Sequence, residues 1–267
     1  MRCAVQNSPR PVSDDRDRPN AARLYDYYLG GAHNFAVDRE FALRAVSEVP
    51  ADAMVQHGRA FLRRAVKLCL ERGIRQFLDL GSGIPTAGNV HEVAHEVDPD
   101  CRVVYVDNEP ATVAHARAML RGREGVAMVE ADVRDPAAVL GSPECRELLD
   151  LTAPVAVLMV AILPCLVTAD RPERVVAGYR DVMAAGSLLV FTHLTADFQP
   201  EVVDKLLGVA TDAHPLTPRT KAEVEVLLDG FELLEPGLVL SSKWRREGDE
   251  PEFGVEAVSY GAVGLRR

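Results

Sequence analysis

Two kinds of hydrophobic pattern divide this chain. From Asn20 to about residue 73, apolar positions recur at helical spacing. Asn20 predicts the cap of a first helix carrying Leu24 and Tyr28, which Gly30 and Gly31 end, and a loop holding His33, Asn34 and Phe35 follows. A second helix is expected from Val37 towards Val49, stopped by Pro50, and a third from Ala51 to Glu71 with Gly73 as its C-cap. From Ile74 the pattern changes to short apolar runs at 75–80, 102–107, 126–130, 154–161 and 187–193. Amphipathic stretches at about 86–97, 110–122, 135–150 and 172–185 separate them. Strands alternating with helices call for a parallel sheet covered on both faces, and right-handed crossovers make it doubly wound. Helices near 200–213 and 218–229 follow. Two closing strands, near 231–241 and 255–264, should form an antiparallel hairpin across the turn-rich run Glu247 to Pro251. Residues 1–19, rich in Arg, Asp and Pro, read as a disordered tail.

The ligand-binding end of such a sheet lies beyond the carboxyl ends of its strands. The first run, Gln76-Phe77-Leu78-Asp79-Leu80, ends in an acid and passes into Gly81-Ser82-Gly83-Ile84-Pro85-Thr86. Gly81 and Gly83 let backbone approach a ligand that a Cβ would push away. The second run, Arg102 to Asp107, also ends in an acid. A dinucleotide site would want a third glycine where Thr86 stands, and Asp79 would oppose a pyrophosphate. A cationic nucleoside suits the two acids better. The D-x-G-x-G turn followed by an acid-ended strand is the usual mark of class I methyltransferases, whose S-adenosylmethionine (SAM) carries an ammonium and a sulfonium.

On that reading Asp107 accepts the ribose hydroxyls, with Asn108 as helix cap or adenine-side neighbour. After the third strand, Asp132 suits the adenine amine and Val133 offers a backbone contact, while Asp135 caps the helix starting at Pro136. The loop after the fourth strand, Met159-Val160-Ala161-Ile162-Leu163-Pro164-Cys165, should lie beside the methionine part of the cofactor, placing Ala161 at the site. His193, at the end of the fifth strand, is the candidate proton acceptor; a structural histidine satisfied by a hydrogen bond is the other reading.

Composition narrows the class. The 267 residues carry a formal net charge of -10, against a nucleic-acid partner; Lys243, Arg245 and Arg246 read as a solvated loop. Five scattered cysteines without C-x-x-C spacing argue against a disulfide framework or zinc ribbon. No leader-like apolar segment and no run near the roughly 18 residues needed to span a bilayer is present, so the expected location is cytoplasmic and no membrane partner is expected. His91 and His95 share a helix face but lack an acid to complete a metal set. No G-x-S-x-G, H-E-x-x-H or Walker loop supports hydrolysis or NTP use.

The residues together resemble the family of SAM-dependent methyltransferase-like proteins once catalogued as domain of unknown function 574 (DUF574). The likeness runs from Ala22-Arg23-Leu24-Tyr25-Asp26-Tyr27-Tyr28-Leu29-Gly30-Gly31, with Asn34-Phe35 and Asp38-Arg39, through Phe77 to Thr86. It continues in Asn89-Val90-His91, Val104 to Asn108, Ala131 to Arg134, Gly186-Ser187, Thr192-His193-Leu194 and Trp244-Arg245. It implies a class I methyltransferase (Rossmann-like) α/β fold with a mostly parallel sheet, an antiparallel C-terminal strand, and residues 20–73 as a helical lid over the cofactor. It further implies that Tyr27, Gly31 and Asn34 close over the methionine end. Relatives tend to carry a Leu-His-His type segment where this chain has Ile162-Leu163-Pro164-Cys165. The expected activity is methyl transfer to an oxygen or nitrogen of a small molecule, with a non-catalytic SAM-binding sensor as the alternative.

Overall fold

The computed structural model describes residues 18–85, 88–210, 216–248, 250, 253 and 256–267. Three helices come first: α1 (Ala21–Tyr28), α2 (Ala36–Glu48) and α3 (Ala51–Glu71). The Asn20 side chain accepts from the Arg23 amide, as its capping role predicts. Asp38, fully buried, accepts from the amides of Asn20 (3.0 Å) and Phe35 (2.8 Å) and pairs with Arg23 Nε at 2.7 Å. One carboxylate therefore staples the starts of α1 and α2 together.

The strands are β1 (Gln76–Leu80), β2 (Arg102–Asp107), β3 (Val126–Glu130), β4 (Ala156–Met159) and β5 (Leu188–Leu194). Three more follow: β6 (Glu232–Leu233), β7 (Val239–Leu240) and β8 (Ser259–Leu265). They form one sheet in the order β3-β2-β1-β4-β5-β8-β6, with β7 also on β8. The five-strand core is parallel, and β8 runs antiparallel to β5, β6 and β7. The chain winds outward from β1 to β3, then restarts at β4 on the other side of β1. That reversal opens a crevice beyond the ends of β1 and β4. The expected single strand at 231–241 is divided by Pro236-Gly237, which cannot continue a ladder.

The crossover helices are α4 (Val90–Val97), α5 (Pro110–Met119), α6 (Pro136–Leu140), α7 (Pro143–Leu148) and α8 (Pro172–Arg180), followed by α9 (Pro200–Ala210) and α10 (Lys221–Leu227). The helix expected over 135–150 is two, because Ser142 caps a new start and Pro143 occupies its first turn. Residues 1–17, 86–87, 211–215 and part of the 247–251 turn, with the expectations attached to them, lie outside the described residues.

Strand alternation sorts the side chains into two cores. Phe77, Val103, Tyr105, Leu158 and Val190 pack against α3 and α4, while Leu78, Val104, Val157 and Phe191 pack against the α7–α8 side. Each of these fully buried side chains contributes roughly 1.5–3 kcal/mol of burial. Among the described residues no helix is long and apolar enough to cross a membrane.

Candidate functional site

The crevice beyond β1 and β4 is a cleft of about 360 Å3. Of the residues expected there, Asp79, Gly81, Gly83, Asp107, Asn108, Asp132, Val133 and Ala161 line it. Asp79 is two residues beyond Phe77 on the same face of β1, so it points towards α3. Arg59, on α3, lines the same wall. Burial pushes the Asp79 carboxyl up to about 7, with Arg59 opposing and Asp107 adding to the rise. Among the described residues Asp79 and Arg59 enter no ion pair, and the buried Nε of Arg59 has no partner. Arg59 is held by its Nη1, which donates to Asn89 Oδ1 at 3.2 Å, and by the Tyr25 ring, 5.7 Å from its guanidinium carbon. An acid and a guanidinium, neither in an ion pair among the described residues, thus line the same cleft.

The glycine turn has backbone reasons for its composition. Gly81 and Gly83 have φ of 69° and 65°, and a Cβ on Gly81 would lie 2.5 Å from the Ile162 side chain. The Gly83 amide donates to Asp107 Oδ2 at 2.9 Å, and the Glu109 amide to Oδ1 at 3.0 Å. Burial raises the Asp107 pKa, and these amides pull against the rise. Glu109, rather than Asp107 or Asn108, caps α5 by accepting from the Thr112 amide, which leaves Asn108 on the cleft wall. Asp132 is clasped by Arg134, whose Nε donates to both of its oxygens at 3.0 Å, and its pKa is lowered by that contact. Asp135 caps α6 as expected.

Four expected site residues stand elsewhere. His193 is fully buried on the other face of β5. Its Nδ1 donates to the Leu194 carbonyl at 2.8 Å, and its Nε2 accepts from Arg219 at 2.7 Å. Burial lowers its pKa to about 4, so the ring is neutral, with both nitrogens engaged. It is placed as the structural histidine, not as a proton acceptor at the cleft. The physical reason is the two-residue strand period, which turns Thr192 to the cleft side and His193 away. Tyr27 packs on the small cluster of Leu24, Phe41, Ala42 and Ala45. Gly31 lies against the Asp26 carboxylate, where a Cβ would come within 1.9 Å of an oxygen. Asn34 donates to Asp26 and to the Gly31 carbonyl, both at 2.9 Å. These three brace α1 and the turn after it and do not line the cleft. The N-terminal helical segment instead contributes Asn20, Ala21, Ala22 and Tyr25. Tyr25, Arg59 and Ser82 line the cleft with no role assigned from sequence, and Ile162 and Cys165 line it from the loop after β4 expected beside the methionine moiety.

His91 bonds the Tyr105 hydroxyl (2.7 Å) and His95 the Cys101 carbonyl (2.9 Å), so each ring has a structural partner. Among the described residues no group of three or more His, Cys, Asp or Glu is placed to hold a metal ion.

A family model described as S-adenosyl methyltransferase matches residues 8–267. The chain belongs to the S-adenosyl methyltransferase family. The crystal structure of a predicted methyltransferase from Thermobifida fusca YX is 38% identical, with a TM-score of 0.87 over 97% of this chain and 100% of that one. A DUF574 family protein from Streptomyces avermitilis is 37% identical, with a TM-score of 0.88 over 96% and 100%. The S-adenosylmethionine-dependent methyltransferase SibL, 18% identical with a TM-score of 0.52 over 94% and 64%, shares the fold. No curated protein matches. As an S-adenosyl methyltransferase, the chain is a SAM-dependent enzyme of class I architecture, and its cleft opens at the reversal of strand order between β1 and β4.

Proposed function

We propose that this cleft binds SAM and that the enzyme passes its methyl group to an oxygen or nitrogen of a small molecule. The observation that carries the reading is a cleft lined by Asp79 and Arg59, opposite charges that enter no ion pair among the described residues, together with Asp107. A methionine moiety is a zwitterion: its ammonium fits Asp79 and its carboxylate the Arg59 guanidinium. Asp107, braced by two amides, retains lone pairs for the ribose hydroxyls. Asn108, Asp132 and Val133 line the part of the cleft suited to adenine. The bound cofactor supplies a methyl group activated by a sulfonium. The chain's own residues bind, orient and exclude water, which is most of what an in-line transfer requires. The net charge of -10 supports a small-molecule rather than a nucleic-acid partner.

Calorimetry with S-adenosylhomocysteine (SAH), the demethylated product, against NADH tests the reading. SAH should bind and NADH should not. Asp107→Ala should weaken SAH by roughly 100-fold, the loss of a charge-assisted ribose contact together with its hold on the glycine turn. Equal affinity in Asp107→Ala and the parent would refute the ribose assignment.

A further inference from the structure

A second chamber of about 290 Å3 adjoins the cofactor cleft. Ala21, Tyr25, Ala161 and Cys165 wall both spaces. Ala161 holds a left-handed backbone (φ 63°), its amide donating to Thr192 Oγ1 at 2.8 Å, which turns the chain after β4 at this junction. Away from the junction the chamber is apolar: Leu24 and Tyr28 of α1, Phe41 of α2, Met54 of α3, and Leu206 and Val209 of α9. The charged residues of the cleft, Asp79, Arg59 and Asp107, do not reach it.

We propose that this chamber binds the methyl acceptor, and that the acceptor is a neutral heteroaromatic compound of roughly two or three rings presenting a ring nitrogen. The inference rests on the cofactor reading above. Two observations support it. The walls reward apolar area and penalise a charge entering without a partner. The titratable wall residues among those described are Tyr25, Tyr28 and Cys165. Burial pushes Tyr28 up to about 12 and Cys165 to about 11, and raises Tyr25 as well, so all three hold their protons near neutral pH and none serves as a base. A ring nitrogen needs none. Its lone pair forms the new bond to the methyl carbon as the carbon–sulfur bond breaks; the electron pair stays on sulfur, the positive charge moves to the nitrogen, and no proton is released. The product is then a cation in an apolar chamber, which favours its departure.

Binding to the SAH-saturated full chain, followed by calorimetry, tests this with quinoline and its N-methylquinolinium counterpart as probes. Quinoline should bind at one site, and N-methylquinolinium at least 10-fold more weakly. Val209→Trp, which fills the chamber from its rim, and Leu206→Lys, which charges it, should each weaken quinoline at least 10-fold and leave SAH affinity unchanged. Labelled methyl should reach quinoline and not 2-naphthol. SAH binding without quinoline binding, quinoline affinity unaltered in both variants, or transfer to 2-naphthol in preference would overturn the proposal. Failure of SAH itself to bind would overturn the cofactor reading instead, and this one with it.

Discussion

Asp79→Asn should bind SAH at least 100-fold more weakly than the parent while being harder to unfold. The two effects share one cause. Asp79 is a buried carboxyl whose pKa stands at about 7, against an ordinary 3.8. A group raised in this way contributes its stability in full below about pH 4 and loses it as pH rises through about 7. The gap corresponds to about 4 kcal/mol of disfavoured ionisation, and the buried amide's own desolvation offsets part of it, leaving a gain of roughly 2 kcal/mol near pH 8. Urea unfolding of the free protein at two pH values reads this directly: the gain should be large near pH 8 and small near pH 5. The affinity loss follows because a partly buried carboxylate–ammonium pair is worth about 3 kcal/mol or more when one partner is removed. A side chain with only a packing role would lose stability on substitution and leave no pH signature.

Asp38→Ala should cost about 2–4 kcal/mol, because it removes a fully buried carboxylate that accepts from Arg23 Nε and from the amides of Asn20 and Phe35, leaving the two amides without that acceptor. The damage should concentrate in α1 and α2. Amide exchange in α1 and the first turn of α2 should accelerate far more than in β1 or β4. Since Asn20, Ala21, Ala22 and Tyr25 line the cleft, SAH affinity should drop roughly 10-fold with it. Exchange unchanged in α1 would mean that Asp38 does not tie α1 to α2.

The sheet was legible because its strands are short, unbroken and apolar, and because Asp79, Gly81, Gly83 and Asp107 fall at strand ends where only function or a turn explains them. The N-terminal segment was legible as helices but not as a surface. Helical period says that Tyr25 and Tyr28 lie near one another. It does not say which tyrosine meets a sheet that begins some fifty residues later, and the family resemblance points to Tyr27 where Tyr25 stands at the cleft. Gly31 and Asn34 carry a strong local signal, but its cause is the buried Asp26 carboxylate they pack around and bond. His193 sits at a strand end, yet a shift of one residue along a strand reverses the face, and Arg219, its partner, is 26 positions away. Arg59 was missed for the converse reason: a charged residue inside an amphipathic helix looks like an ordinary solvated position until the sheet brings Asp79 opposite.

The measurement that bears most directly on the cleft is SAH affinity as a function of pH, by calorimetry on the parent protein and on Asp79→Asn. Binding an ammonium requires Asp79 ionised, so affinity in the parent should climb up to about 10-fold per pH unit from about pH 5 and level off above about pH 7, with a proton released on binding at the lower values. Asp79→Asn should show weak binding with that climb abolished. A flat profile in the parent, or the same climb in both proteins, would contradict the claim that Asp79 grips the cofactor's ammonium.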